Sequence, residues 1–212
     1  MKKIYFDGCS WTFGGELKDP TAERFSRLIC DELGAQEVNI SRAGGSNDRI
    51  VRQLLVENNI EEYDLAIIQM TFPARTEWYS GVDGKDLWKK VNPKFNYETY
   101  IRNQGVHYPA IAKRKVEKTI REKFETHKDF WKYWYMNVAN EVFFDVKENI
   151  HFQTIRDHCK ARGVPLILST INRWSKLDFD FVLNTKGLKV HQYGHPTKES
   201  HQKFAKMMLD KI

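Results

Sequence analysis

Short apolar runs alternate with stretches of helical period along the first seventy residues. Ile4-Tyr5-Phe6 is a continuous apolar run closed by Asp7-Gly8, the pattern of a buried strand. From Pro20 and Thr21 to Leu33 the spacing predicts a helix, with Phe25, Leu28, Ile29 and Leu33 on one face and Gly34 as its stop. Glu37-Val38-Asn39-Ile40 predicts a second short strand. After Gly44-Gly45, Ser46 or Asn47 can cap a helix that carries Ile50, Val51, Leu54 and Leu55. The run 64–70 is apolar on both faces and predicts a central strand.

The alternation then breaks. Residues 72–130 are rich in aromatics, Gly, Pro and charge, and show no strand pattern. A helical stretch follows over roughly 128–162, interrupted near its middle, with Ile150, Ile155 and Cys159 facing the sheet and Gly163 as its end. Trp131, Trp134 and Tyr135 sit at helical spacing, as packing residues do. The run 164–170 predicts a fourth strand, with Pro165 tolerated at its start, and 198–209 a C-terminal helix. The expectation is one domain over 1–212, with 72–130 as a specificity insertion or lid. Strands alternating with helices make a parallel sheet covered on both faces. Ligands bind such sheets outside the carboxyl ends of the strands. That rule selects 7–14, 41–48, 70–78 and 170–175.

Composition narrows the class. A chain of 212 residues, 41% hydrophobic and 13% aromatic, can bury a core. No apolar run is long enough for a bilayer. Met1-Lys2-Lys3 has the basic start of a secretory leader but lacks the apolar stretch that would follow, so a cytoplasmic chain starting at Met1 is expected. Cys9, Cys30 and Cys159 are odd in number and unpaired in spacing, against a disulfide framework or a zinc site. His151 and His158 can share a helix face, but no third ligand accompanies them, so neither metal nor organic cofactor is expected. The net charge of +6 is concentrated around Lys113–Lys123 and in the C-terminal segment. Glu117, Glu122 and Glu125 interleave with the first cluster, the pattern of a solvated helix face, and argue against nucleic acid as a partner.

Two short segments can carry chemistry. Phe6-Asp7-Gly8-Cys9-Ser10-Trp11-Thr12-Phe13-Gly14 follows the first strand, and a serine between glycines there is presented at the sheet edge near backbone N–H groups that can stabilise an oxyanion. Cys9, the competing nucleophile, reads as a small buried residue. Near the other end, Pro196 keeps His195 extended ahead of a helix. There an imidazole can reach across the strand ends as general base.

These blocks resemble the SGNH/GDSL hydrolases. Gly8-Cys9-Ser10-Trp11-Thr12 looks like the family's first block, 39–47 with Gly44-Gly45 like its second, and Gly194-His195-Pro196-Thr197 with His201 like its last. The resemblance implies a three-layer α/β/α sandwich with a flavodoxin-like parallel sheet. It also implies hydrolysis of esters, often acetyl esters on sugars, with Ser10 as nucleophile, His195 as base and Gly45 N–H in the oxyanion hole.

Two positions depart from the family. Its third block is a Gly-x-Asn-Asp string, but Gln69-Met70-Thr71-Phe72 stands here, which leaves Asn47 or Thr71 to supply the oxyanion donor, with helix capping as Asn47's alternative role. The aspartate expected three residues before the histidine is Gln192. Its carbonyl can fix a tautomer but does little for an imidazolium. The site is then a Ser–His dyad, or Asp178 or Asp180 completes it, or hydrolytic power has been lost. Arg75, Glu77 and Trp78 follow the third strand and can grip a polar or carbohydrate ester, or Arg75 and Glu77 can pin the loop. The competing functions are a binding or structural module on the same fold, in a phage or assembly setting, and an acyltransferase using the same serine.

Overall fold

The computed structural model describes residues 1–80, 87–91, 134, 139–184 and 188–212. In chain order its elements are β1 (Lys3–Asp7), α1 (Ser10–Phe13), α2 (Pro20–Glu23), α3 (Phe25–Leu33), β2 (Gln36–Asn39) and α4 (Asn47–Arg52). They continue with β3 (Leu65–Met70), β4 (Thr76–Ser80), β5 (Leu87–Val91), α5 (Glu141–Ala161), β6 (Leu166–Thr170), β7 (Phe181–Val182) and α6 (Lys198–Leu209). Five strands form a parallel sheet in the order β2-β1-β3-β6-β7. Leaving out the β4–β5 hairpin, this is the flavodoxin-like 2-1-3-4-5 order, whose switch point lies between the first and third strands. Phe6 pairs with Ile67 and Asp7 with Ile68, so the ends of β1 and β3 stand side by side.

The period-two alternation of the strands supplies two separate cores. Ile4, Phe6, Ile67 and Ile167 face α3 and α6, where Phe25, Ile29, Phe204 and Met208 meet them. Tyr5, Ala66, Ile68, Met70 and Leu168 face the other way, against Ile50 and Leu54 and against Phe152, Ile155 and Cys159 of α5. Burying each such large side chain is worth roughly 1.5–3 kcal/mol, so both faces hold the sheet between helical layers. The result is a three-layer α/β/α sandwich.

Several elements differ from the sequence pattern. The helix expected from Pro20 to Leu33 is two helices, because Arg24 is extended (φ −71, ψ 149) and its guanidinium forks onto Glu37 at 2.8 and 2.9 Å. The break lets His201 Nδ1 accept from Phe25 N–H at 3.1 Å, capping α3 from a residue of α6. The segment expected to lack strands contains the antiparallel β4–β5 hairpin, pairing Thr76 with Val91 through Ser80 with Leu87. Ile150 is exposed rather than facing the sheet. At 100° per residue it lies well off the stripe formed by Phe152, Ile155 and Cys159.

The chain divides into two compact units, Met1–Val91 with Lys147–Ile212, and Asn92–Val146. In the second, Trp134 packs edge-on against Phe143 and Phe144; Trp131, Tyr135 and the Lys113–Lys123 cluster lie outside the described residues. Among the described residues, no helix is long and apolar enough to cross a membrane.

Candidate active site

β1 ends at Asp7, and the chain turns at Gly8 straight into the short helix that Ser10 begins. Gly8 is required by space: a Cβ there would lie 2.3 Å from Thr12 Oγ1 and 3.1 Å from Gln69 Cβ. Thr12 Oγ1 donates to Gln69 Oε1 at 3.0 Å, tying the loop to the end of β3. Below it the buried Asp7 carboxylate takes Gly8 N–H at 2.7 Å and Arg49 Nη1 at 2.6 Å, while its second oxygen has no partner. Burial raises the Asp7 pKa to about 6 against the pull of Arg49.

After α1 the chain doubles back, with Gly15 N–H on Ser10 O at 2.7 Å. A Cβ built on Gly15 would lie 3.3 Å from Ser10 Cβ and 3.3 Å from His195 Cδ2. Those two atoms are therefore no further apart than twice that distance. The sheet topology thus brings together serine and imidazole from opposite ends of the chain. His195 rides on a small turn in which His191 N–H donates to His195 O at 2.9 Å and Val190 bridges Pro196. Its Nδ1 lies 2.6 Å from Glu16 Oε2, while Cδ2, on the other side of the ring, is the atom on the Ser10 side. The slight burial of Glu16 opposes ionisation, but the hydrogen bond and charge of His195, with the backbone N–H groups of Tyr193 and His195, hold its carboxyl below the usual range.

No protein-family model matches the chain, and no curated protein sequence matches it. Among solved structures it is similar to a carbohydrate esterase whose active site is described as displaying divergent catalytic and non-catalytic binding functions, at 10% identity and a TM-score of 0.55 over 99% of this chain and 64% of that one. The chain shares its fold with that carbohydrate esterase. Further similarities are to an acetyl xylan esterase (Est2A) from Butyrivibrio proteoclasticus and to a lipase/acylhydrolase from Enterococcus faecalis. The first has 16% identity and a TM-score of 0.46 over 99% of this chain and 63% of that one. The second has 13% identity and a TM-score of 0.43 over 100% and 95%. The chain spans just under two thirds of the length of the two carbohydrate-ester enzymes.

The polar groups expected to hold an oxyanion are engaged within the fold. Gly45 N–H donates to Arg42 O at 2.8 Å, closing a turn, so that hydrogen points at a carbonyl. Asn47 is fully buried and clamps the backbone of Thr71: its Oδ1 accepts from Thr71 N–H at 2.8 Å and its Nδ2 donates to Thr71 O at 3.0 Å. It is not the cap of α4; Ser46 Oγ accepts from Arg49 N–H in that role. Thr71 Oγ1 accepts from Arg75 Nη1 at 2.7 Å. Gln192 lies exposed in the 191–194 turn, and the imidazole nitrogen expected to face it faces Glu16. Asp180 accepts from Leu168 N–H at 2.8 Å, and Asp178 is exposed.

The residues after β3 serve mainly one another. Arg75 is 6% exposed and reaches Thr71 Oγ1 and, at 3.5 Å, Gly45 O, with Phe72 under its guanidinium. Burial resists ionisation of the neighbouring Cys9 thiol, but Arg75 and the hydrogen bonds of Trp11 N–H and Gln69 outweigh it and lower its pKa. Glu77 Oε2 accepts from Arg52 Nη2 and Nε at 2.9 and 3.0 Å, and burial raises the Glu77 pKa against that pull. The Trp78 backbone belongs to β4, and its side chain lies outside the described residues.

Sequence reasoning missed three features. Glu16 follows a glycine pair and stands six residues beyond Ser10, a signal too common to single out. The Asp7–Arg49 pair links residues 42 apart. Asp48 collects Thr76 Oγ1, Glu77 N–H, Lys147 Nζ and His151 Nε2, which hold its carboxyl far below the usual range despite burial. Among the described residues, no group of three or more His, Cys, Asp or Glu is arranged to hold a metal ion.

Proposed function

We propose that this chain is a serine hydrolase of ester bonds, with Ser10 as nucleophile and His195 as base. The observation that carries the reading is that His195 Cδ2 and Ser10 Cβ both lie 3.3 Å from the position of a Gly15 Cβ, at the carboxyl ends of the strands. In the acylation half, Ser10 Oγ bonds to the acyl carbon as its proton passes to His195 Nε2. The carbon–oxygen bond to the alcohol then breaks, and the leaving oxygen takes that proton. Water repeats the sequence: its proton goes to Nε2, its oxygen bonds to the acyl carbon, and Ser10 Oγ leaves with the proton. The developing oxyanion falls to the Ser10 backbone N–H, and the Arg75 guanidinium adds a fixed positive charge at the same strand ends.

Acetyl esters on carbohydrates are the substrate class to try first, since an acetyl xylan esterase and a carbohydrate esterase are among the similar structures. The three free cysteines, all buried, suit a reducing compartment. Hydrolysis of p-nitrophenyl acetate and of acetylated xylan by the parent, lost in both Ser10→Ala and His195→Ala, supports the proposal. Equal rates in the parent and both variants would remove these residues from the reaction. One observation favours a second reading, a carbohydrate-binding module without turnover: Gly45 N–H and the Asn47 amide are both engaged by backbone. Saturable binding of xylan with no acetate release would favour it.

A further inference from the structure

We propose that Glu16 is the carboxylate that orients His195, so that nucleophile and orienting acid come from one loop and the histidine from the other end of the chain. This rests on the reading of Ser10 and His195 as nucleophile and base.

Three observations converge on it. First, the Glu16 carboxylate lies 2.6 Å from His195 Nδ1, while Cδ2 on the other side of the ring and Ser10 Cβ each lie 3.3 Å from where a Gly15 Cβ would stand. A carboxylate there accepts the Nδ1 proton, which leaves the Nε2 lone pair free on the serine side. Second, the position three residues before His195 carries Gln192, which is exposed. Third, Glu16 is the only non-glycine residue with positive φ (66) among the described residues. That conformation crowds the Cβ of an L-residue, so it persists only where other contacts hold it. The contacts that hold it are those of the His195 turn, because the backbone N–H groups of Tyr193 and His195 act on the same carboxylate. The loop's own geometry delivers it: Gly14 N–H and Gly15 N–H both return to Ser10 O, and the next residue is Glu16.

The chemistry follows from the charge. Glu16 stays ionised throughout and moves no proton. When Nε2 takes the Ser10 proton, the imidazolium forms against a fixed negative charge, which a neutral Gln192 carbonyl does not provide. Glu16 is thus a positioning residue that acts through His195. Both side chains are about a quarter exposed, so a small carboxylate can reach the gap left by a truncation.

The test uses the full chain and two readouts. With p-nitrophenyl acetate, Glu16→Gln is expected to lose up to about 10,000-fold in kcat with KM within about threefold, the loss seen when such a carboxylate is neutralised in a serine protease. Added formate should restore part of the loss in Glu16→Ala and none in Ser10→Ala. Imidazole nitrogen NMR at alkaline pH should show His195 as the Nδ1–H tautomer in the parent and as a mixture in Glu16→Gln. A kcat within threefold of the parent, or an unchanged tautomer, overturns the proposal. So does a loss that formate leaves untouched while the melting temperature falls, which would assign Glu16 to pinning the turn. If the tautomer responds to Glu16 but the parent neither turns over ester nor labels at Ser10, the orienting role stands and the hydrolase reading fails.

Discussion

On its sheet side the Ser10 loop rests on Asp7, Cys9, Gln69, Asn47 and Thr71, each at most 1% exposed. On its open side stand Glu16 and His195, whose side chains are 23% and 24% exposed. The buried side is held by contacts to backbone and neighbouring amides: Asn47 on both polar groups of Thr71, Gln69 on Thr12 and Met70 O, Asp7 on Gly8 N–H. The open side is held by one charge-assisted bond between an acid and an imidazole. The difference separates two tasks. Buried, hydrogen-bonded polar groups fix where Ser10 stands but are cut off from solvent. On the proposed reading, the base must be reachable by water and substrate, which the exposed rim position of His195 allows.

This division can be broken from either side. The largest expected effect is on chemistry alone: Ser10→Ala should lower ester hydrolysis by at least about a thousandfold, with thermal stability changed by no more than about 0.5 kcal/mol. A fall in stability of several kcal/mol would show that Ser10 belongs to the scaffold. The mirror case is Arg49→Ala, which leaves Asp7 buried and unpaired and removes a donor from Ile40 O. Chemical denaturation should show a loss of about 3–5 kcal/mol.

Asn47→Ala comes next. It leaves Thr71 N–H and O without their partner and should cost about 2–3 kcal/mol of stability, with kcat in the folded protein changed by less than about tenfold. A hundredfold fall in kcat at unchanged stability would return Asn47 to the oxyanion hole.

His201 tests the division through pH. Burial lowers its pKa to about 4, and the nearby His191 and His195 act in the same direction. The unfolded chain, with an ordinary histidine near 6.5, then binds more protons between those values. Stability from this group is therefore complete above pH 6.5 and declines towards pH 4, by on the order of 3 kcal/mol. His201→Asn keeps an acceptor for Phe25 N–H, so its stability relative to the parent should improve steadily as pH falls through that window. A constant difference would show that His201 is not buried in its neutral form. The smallest effect is geometric: Gly15→Ala puts a methyl 3.3 Å from both Ser10 Cβ and His195 Cδ2. Because a small misplacement at the reacting centre is costly, it should reduce kcat by about tenfold.

Much of the fold was legible because it rests on local periodicity. The runs 4–6, 64–70 and 164–170 announced β1, β3 and β6, and their alternation with helices implied the parallel sheet and its ligand-binding edge. β7 was not legible, since two residues, Phe181 and Val182, carry no period. The β4–β5 hairpin was hidden by polar residues in both strands, although Trp78, Tyr79 and Trp88 flanking Asp83-Gly84 were a usable signal. At the site, Ser10 and His195 could be named because each sits in a short recognisable block. Glu16 could not, because its partner is 179 positions away and only the closed sheet brings them together. Asn47 and Gly45 show a related limit: residue type says that an amide or N–H is present, and only the fold says which backbone group it already meets.

The central claim is that Ser10 is an activated nucleophile. Incubation with a fluorophosphonate probe, followed by intact-mass and peptide mass spectrometry, tests it directly. One adduct per chain on Ser10, absent in Ser10→Ala and strongly slowed in His195→Ala, is the expected result. No adduct between pH 6 and 9, or an adduct that persists in Ser10→Ala, would contradict it.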